Sequence, residues 1–383
     1  MTAQTEHHAR LAPSSAHIWR YCPGSVAMQE RQPPEDETDE SREGTAAHWL
    51  LARTILKLDT PPDAIADNGV PVNQEMRDAI AELVTDINDT IKGCQPGDYY
   101  QTEQRVFAHT MIHPDCDGTP DNYFVQFSRK TAHIWDFKYG HRYVDAYRCW
   151  QLIAYAAALI ETAKIADWRD WSFTLTIAQP RSFSREGDGG TLREWFVSGA
   201  ELGGYIDELR AAAAKASAPD APCITGDYCG DCKAAWDCMA NLRAGGFSVD
   251  VIHGQQGTSM NPASIGVEMR VLRQALDRAN SRLKVLETKA MQAIDTGQTV
   301  PFHRLEWTKP RWVWDTAKIA EAVSVVQMFG VDVLPGVALP TPNAITKQGV
   351  DGSVITPYTT KGAPAKKLVA FEDANVSKIL GRR

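Results

Sequence analysis

The sequence predicts an α/β fold, a mixed central sheet flanked by helices, from two observations. The periodicity runs helix, three strands, helix, strand, and a helix between strands favours a crossover that lays it on the sheet. The size points the same way: 383 residues, 43% of them apolar, exceed what one core usually reaches. Two domains are therefore expected, one over 1–243 and a C-terminal α+β extension with a long amphipathic helix over 262–383, joined by a linker at 244–261.

Taken in order, 33–44 (PPEDETDESREG) mixes proline with acids and reads as a solvated loop or helix approach. Apolar residues at helical spacing predict helices over 43–58 and 73–92, the second stopped by Gly93. Strand signals follow at 99–109, 121–128 and 131–139, then a helix at 144–163 and a strand at 171–180. Residues 184–190 (SREGDGG) read as a hairpin tip leading into TLREWFVS, and a helix over 199–217 delivers the chain to a cysteine cluster. The segment 244–264 is rich in Gly, Ser and polar residues, as linkers are. Beyond it, Leu272, Leu276, Ala279, Leu283, Leu286 and Ala290 form the stripe of a helix opened by NPAS and closed by Gly297. Packing within its own domain outweighs an intermolecular coiled coil, because the repeat is short. The remainder reads as strands and loops; the tryptophans of EWTKPRWVW (306–314), interleaved with Lys309 and Arg311, suit stacking on unpaired bases, but core packing is the weightier expectation.

The N-terminus lacks the apolar stretch of a secretory signal, and LIAYAAALIETAKIA is too short and too charged for a bilayer span. A soluble cytoplasmic protein with no membrane partner is expected. The net charge of −8 does not advertise a histone-like nucleic-acid binder but does not exclude nucleic-acid binding, which depends on local Lys and Arg placement. Of eight cysteines, Cys94, Cys116, Cys149 and Cys223 stand alone and read as ordinary thiols. In YCGDCKAAWDC, however, Cys229, Cys232 and Cys238 have metal or redox spacing, and no fourth ligand follows nearby.

The chemistry concentrates in GTPDNYFVQFSRKTAHIWDFKYG. Asp136 and Lys138 lie two apart on one strand and project to the same side, with Phe137 between them on the other face. If 121–128 and 131–139 pair as a hairpin, Asp121 falls at the same end of the sheet. Two carboxylates and an ammonium suit phosphodiester hydrolysis: the carboxylates hold Mg²⁺ or Mn²⁺, and Lys138 positions or deprotonates the attacking water, or offsets charge at phosphorus. An Asp-x-Lys alone is more often a surface ion pair. Its neighbours add to it: Glu103 as a further acid or a solvated edge residue, and Gln151 and Tyr155 one turn apart on an apolar helix. His48 is by default a half-buried imidazole and, on the sharper reading, a metal ligand.

Together, GTAAH, GTPD, DFKYG and QLIAY resemble, in that order, the His, Asp, Asp-x-Lys and Gln-x-x-x-Tyr motifs of RecB-type nucleases in the PD-(D/E)XK superfamily. LAPSSAHIWRYCPGS joined to EGTAAHWL is similar to a phage and prophage group of RecB-like proteins; the likeness covers residues 11 to about 240. It implies a restriction-endonuclease-like core, His48, Asp121 and Asp136 as metal ligands, and Lys138 as the catalytic lysine. It also implies that Gln151 and Tyr155 contact DNA or support the site. Iron-sulfur members, such as the AddB nuclease domain, carry one cysteine before the core and three after it as C-x2-C-x5-C. The resemblance therefore implies Cys22 as fourth ligand of a [4Fe-4S] cluster; spacing alone permits structural Zn²⁺. The expected function is a metal-dependent DNase, an exonuclease on DNA ends or single strands in phage replication, recombination or repair in a bacterial host. Its partners are DNA and phage recombination or replication proteins; the alternative is a non-catalytic DNA-binding scaffold with a structural metal.

Overall fold

The structure is a computed structural model describing residues 9–33, 37–181, 191–253, 262–315, 318–331, 339–362, 364 and 366–370. The chain divides into two compact units, Met1–Ile224 and Thr225–Arg383, so the division precedes the cysteine trio instead of falling near 243.

The N-terminal unit opens with short helices α1 (Ala16–Trp19) and α2 (Ser25–Glu30). Next, α3 (Asp39–Ile55) starts earlier than expected, because Thr38 Oγ1 accepts from the Ser41 amide and Asp39 and Glu40 meet the positive end of the helix dipole. Part of the acidic stretch is thus its first turn. α4 (Gln74–Ile91) is capped by Asn73, whose Oδ1 accepts from the Met76 amide at 2.8 Å, and it buries Met76, Ile80, Leu83 and Ile87 along one stripe.

The strand expected over 99–109 is two strands. β1 (Tyr99–Thr102) ends at Glu103, whose φ of +50° is left-handed; the chain then forms β2 (Val106–Phe107), paired with β3 (Asp117–Gly118). β4 (Asn122–Gln126) and β5 (Thr131–Phe137) make the expected hairpin, with Asn122 opposite Trp135. The unit is completed by α5 (Trp150–Thr162), β6 (Ser172–Ala178), β7 (Leu192–Ser198) and α6 (Gly199–Ala216). The hairpin tip expected at 184–190 lies outside the described residues.

The sheet order is β1-β4-β5-β6-β7, with β5 and β6 parallel and the other pairs antiparallel, so α5 is the crossover of a mixed sheet flanked by helices. Side-chain alternation sorts the sheet into two cores. Ala132 and Ile134 of β5 join Tyr123, Val125, Leu175 and Ile177 beneath α5 and α6. Trp135 and Phe137 point the other way, into the layer of α3 and α4.

In the C-terminal unit, α7 (Met239–His253) occupies much of the expected linker, and 254–261 lie outside the described residues. Two glycines cost a helix about 1 kcal/mol each; Gly245 lies against the Arg282 stem of the next helix, where a Cβ would meet Cγ at 3.5 Å, an ordinary contact. That helix, α8 (Pro262–Asp295), is followed by Gly297 at φ +83°, as expected. Its buried side chains include Ala275 and Val285, whereas Leu276, Leu283 and Leu286 of the expected stripe are about half exposed. Val285 packs beside Cys229 and Ala235, ahead of α7.

After α8 come β8 (His303–Trp307), β9 (Trp312–Trp314), and α9 (Ile319–Met328), α10 (Pro342–Lys347) and α11 (Gly352–Ile355) around a small core including Ala322, Val326 and Ile345. Finally, β10 (Thr359–Lys361) pairs with β9 and β11 (Lys366–Ala370) with β8. Stepping five residues along each strand from Trp312↔Lys361 reaches Trp307↔Lys366, so these two two-stranded sheets share one register, as an interrupted ribbon does. Pro310 and Pro364, on opposite strands, sit at its interruption and have no N–H to donate. No helix among the described residues is long and apolar enough to cross a membrane.

Candidate metal centre and active site

Six side chains meet at the end of the sheet where β4 begins and β5 ends. Asp121 immediately precedes β4, and its buried carboxylate is divided between partners: Oδ2 accepts from the Phe137 amide at 2.6 Å, and Oδ1 lies 3.0 Å from His48 Nδ1. His48 arrives on α3 from the α3/α4 layer and packs edge-on against Phe137. The left-handed Glu103, whose amide donates to the Asp121 carbonyl, completes a group of ligand atoms from His48, Glu103 and Asp121 that all lie within 4.8 Å of one another.

Asp136 and Lys138 share the opposite face, as their spacing predicts. Lys138 extends the β5–β6 ladder by donating its amide to Ala178 O, which fixes its direction. Its Nζ lies 2.8 Å from Asp136 Oδ2, while Gln151 on α5 closes a triangle, donating Nε2 to Asp136 Oδ1 at 2.7 Å and accepting from Lys138 Nζ at 3.0 Å. A glutamine suits this place because one amide offers a donor to the carboxylate and an acceptor to the ammonium. Thus engaged, Asp136 is outside the three-ligand group, although it was expected beside His48 and Asp121 as a ligand.

Tyr155, one turn after Gln151, donates its hydroxyl to Thr119 O at 3.1 Å and so buttresses the loop that delivers Asp121. The preceding Gly118 has to be bare: a Cβ would sit 3.0 Å from Pro13 Cδ and 3.1 Å from Tyr155 Cε1. The GTPD motif is therefore a close approach of backbone to Tyr155 as well as a carboxylate. Burial raises the Tyr155 pKa well above that of an ordinary phenol, so the hydroxyl stays a donor.

The electrostatics follow from burying acids beside bases. Burial alone would lower the His48 pKa, but Asp121, then Glu103 and Asp136, outweigh it and carry it to about 9. Burial likewise works against ionised Asp121, yet His48, the Phe137 amide and Lys138 hold its pKa below the usual value. Asp136 is the converse: burial raises its pKa, Lys138 pulls it down, and Asp121 pushes it further up. Lys138 is also raised, because Asp136 overcomes the burial penalty. As placed, it is an ammonium suited to donating and to offsetting negative charge. The field that raises His48 would also attract a divalent cation, and a nitrogen with two carboxylates is a donor set that Mn²⁺ accepts readily; Mg²⁺ would draw on the carboxylates.

Sequence reasoning passed over Gln179. Buried at the end of β6, it donates to Gly140 O and Arg142 O and accepts from the Val144 amide and Arg193 Nη2, filling its hydrogen-bonding capacity. This pins the loop after Lys138, and α5 accordingly begins at Trp150 instead of 144, after a left-handed Arg148. A Gln-Pro ending a strand was the available signal. A second grouping within ligand distance, Asp86, His133 and Glu194, is already tied up: His133 Nε2 pairs with Thr176 Oγ1 at 2.7 Å and Trp135 Nε1 donates to Asp86.

The four expected cluster cysteines fall in both units. In the N-terminal unit, Cys22 is buried and its Sγ accepts from the Ile224 amide at 3.3 Å. In the C-terminal unit, Cys229 is buried beside Val285 and partly buried Cys232, with its Sγ accepting from the Gly226 amide at 3.4 Å. Cys238 is partly buried and precedes α7. Backbone N–H groups aimed at sulfur suit thiolate ligands. Cys116 and Cys149 differ: burial drives their pKa to about 12 and about 11, as for neutral core thiols.

A family model described as "Protein of unknown function (DUF2800)" matches residues 8–374. The chain belongs to that family. The match spans both units, so the C-terminal ribbon is part of the DUF2800 family pattern along with the site.

Proposed function

We propose that this DUF2800 protein is a metal-dependent deoxyribonuclease of the RecB-like PD-(D/E)XK type, acting on DNA ends or single strands. The observation that carries the reading is the junction of two groups at one sheet end: His48, Glu103 and Asp121 as a cation-binding set, and Asp136, Lys138 and Gln151 as a charge-paired set. A bound Mg²⁺ or Mn²⁺ would supply Lewis-acid activation of water and phosphate. The chain itself would orient and stabilise. Asp121 is held by the Phe137 amide, Lys138 donates toward charge developing on the phosphate oxygens, and Gln151 keeps the Lys138 and Asp136 side chains in register. Tyr155 is a positioning residue, acting through the Thr119 carbonyl.

The test is degradation of end-labelled single- and double-stranded DNA with Mn²⁺, Mg²⁺ or EDTA. Activity should require metal and fall by roughly 10²–10³ or more in Lys138→Ala, the scale of losing one aimed donor at a reacting centre. It should vanish in Asp121→Asn. Undiminished cleavage by both variants removes the proposal, and DNA binding without turnover under any divalent metal favours the scaffold alternative. For Cys22, Cys229, Cys232 and Cys238 the proposal, resting on the sequence, is a [4Fe-4S] cluster, with zinc as the alternative. Anaerobically purified protein should be brown, and serine at Cys22 or at Cys232 should each release the metal; colourless protein carrying zinc selects the alternative.

A further inference from the structure

Two of the three tryptophans of the C-terminal ribbon are not core. Trp307 is 66% exposed and Trp312 45%, although a buried indole is worth several kcal/mol of hydrophobic stabilisation and a small unit has every reason to use it. Only Trp314 turns inward, against the small helical core, with Nε1 donating to Pro340 O. Each exposed indole carries a lysine from the opposite strand: Lys366 Nζ lies 5.7 Å from the Trp307 ring and Lys361 Nζ 5.6 Å from that of Trp312. Both are cross-strand pairs of the shared register, so the pattern of ring plus cation repeats along the ribbon.

The charge is as uneven as the burial. Residues 303–315 and 359–370 hold six Lys or Arg against two Asp or Glu, within a chain of net charge −8. Arg304 and Lys366 are ion-paired, to Glu306 and Asp295, while Lys309, Arg311 and Lys367 are exposed. A basic ribbon on an acidic chain, presenting aromatic rings, is complementary to a polyanion that itself carries flat rings.

We propose that this ribbon binds single-stranded nucleic acid, its indoles stacking on unpaired bases while the lysines and Arg311 accompany the phosphates. Stacking is indifferent to base identity, because every base has a π face, so the surface holds a strand without reading its sequence. An anionic bilayer also attracts indoles and lysines. However, an odd step of five residues and a break containing Pro310 separate the two rings, which does not build one flat apolar face for lipid to cover. By alternation the odd step sets the two rings on opposite faces of a regular ribbon, and a flexible strand can pass round its edge from one to the other. The proposal rests on the nuclease reading only in taking the strand to be DNA.

The experiment is fluorescence anisotropy of a labelled oligothymidylate with the full-length protein in EDTA, where no turnover occurs. Wild-type protein should bind, more weakly as salt rises. Trp307→Ala and Trp312→Ala should each weaken binding roughly 5- to 100-fold, with partial recovery in the Phe variants. Both rings are exposed, so thermal melts of the variants should match wild type; if an alanine variant melts early, the Phe variant and Lys361→Gln carry the comparison. Affinity unchanged in all these variants overturns the proposal, as does binding to phosphatidylserine vesicles but not to the oligonucleotide. Failure of the wild type to cleave DNA with any metal, while this binding and its tryptophan dependence persist, removes the nuclease reading alone.

Discussion

Acid should loosen the N-terminal unit through one histidine that the proposed chemistry does not use. His133 lies on β5, stacked on Trp135 at 3.6 Å between ring centroids, and burial lowers its pKa from 6.5 to about 3. Above pH 6.5 the imidazole is neutral whether the chain is folded or not, and the group costs nothing. As the pH falls from 6.5 toward 3, the unfolded chain takes up a proton that the folded one refuses, so stability is lost at about 1.4 kcal/mol per pH unit. At pH 5.0 the loss is about 2 kcal/mol. His133→Gln keeps an amide near Thr176 but has nothing to titrate. Urea unfolding of both proteins at pH 7.5 and 5.0 isolates the group, because the other acids are common to both. Wild type should lose about 2 kcal/mol more than the variant between those pH values. Losses equal to within about 0.5 kcal/mol would refute the assignment of a neutral, desolvated His133.

Gln151→Leu removes two hydrogen bonds to charged groups, each worth about 1.5–3 kcal/mol, while leucine recovers some burial; stability should drop by about 2–4 kcal/mol in urea titrations, and a drop below about 1 would contradict the triangle. Gly199→Ala would drive its Cβ into the Trp168 carbonyl oxygen and should cost about 3 kcal/mol or more, whereas Gly204→Ala on the same helix meets nothing and should gain a few tenths to 1 kcal/mol. Comparable melting temperatures for those two variants would show that the approach of α6 to Trp168 is not close. Tyr155→Phe deletes one bond to the Thr119 carbonyl and should cost about 1 kcal/mol, reducing kcat of DNA cleavage without raising KM; a rise in KM alone would instead place the hydroxyl on substrate.

What could be read from the sequence was what parity and local spacing control. A step of two from Asp136 to Lys138 puts them on one face, and a short hairpin brings Asp121 to the same end, so the acid–lysine grouping was legible before any coordinates. Gln151 and Tyr155 followed from a single helical turn. Features set by backbone chirality or distant pairing were hidden. A glutamate at φ +50° has no sequence signature, yet it splits the expected 99–109 strand and swings Glu103 toward Asp121. The face α8 buries takes in Val285 beside Cys229 and Ala235, a pairing with a distant segment that a count of leucines does not register. The exposure of Trp307 and Trp312 depends on strands separated by three helices. Tryptophan frequency alone argues for the interior.

The prolines of the C-terminal ribbon have a further consequence. A two-stranded ribbon has two open edges, each a template on which a neighbouring chain could add a strand and begin an aggregate. Pro310 falls at an outward-facing position and deletes a donor midway along one edge, and adjacent lysines would repel a like copy, so that edge is interrupted as a template for self-association. The backbone beside the exposed rings is thereby made a poorer place for another chain to dock.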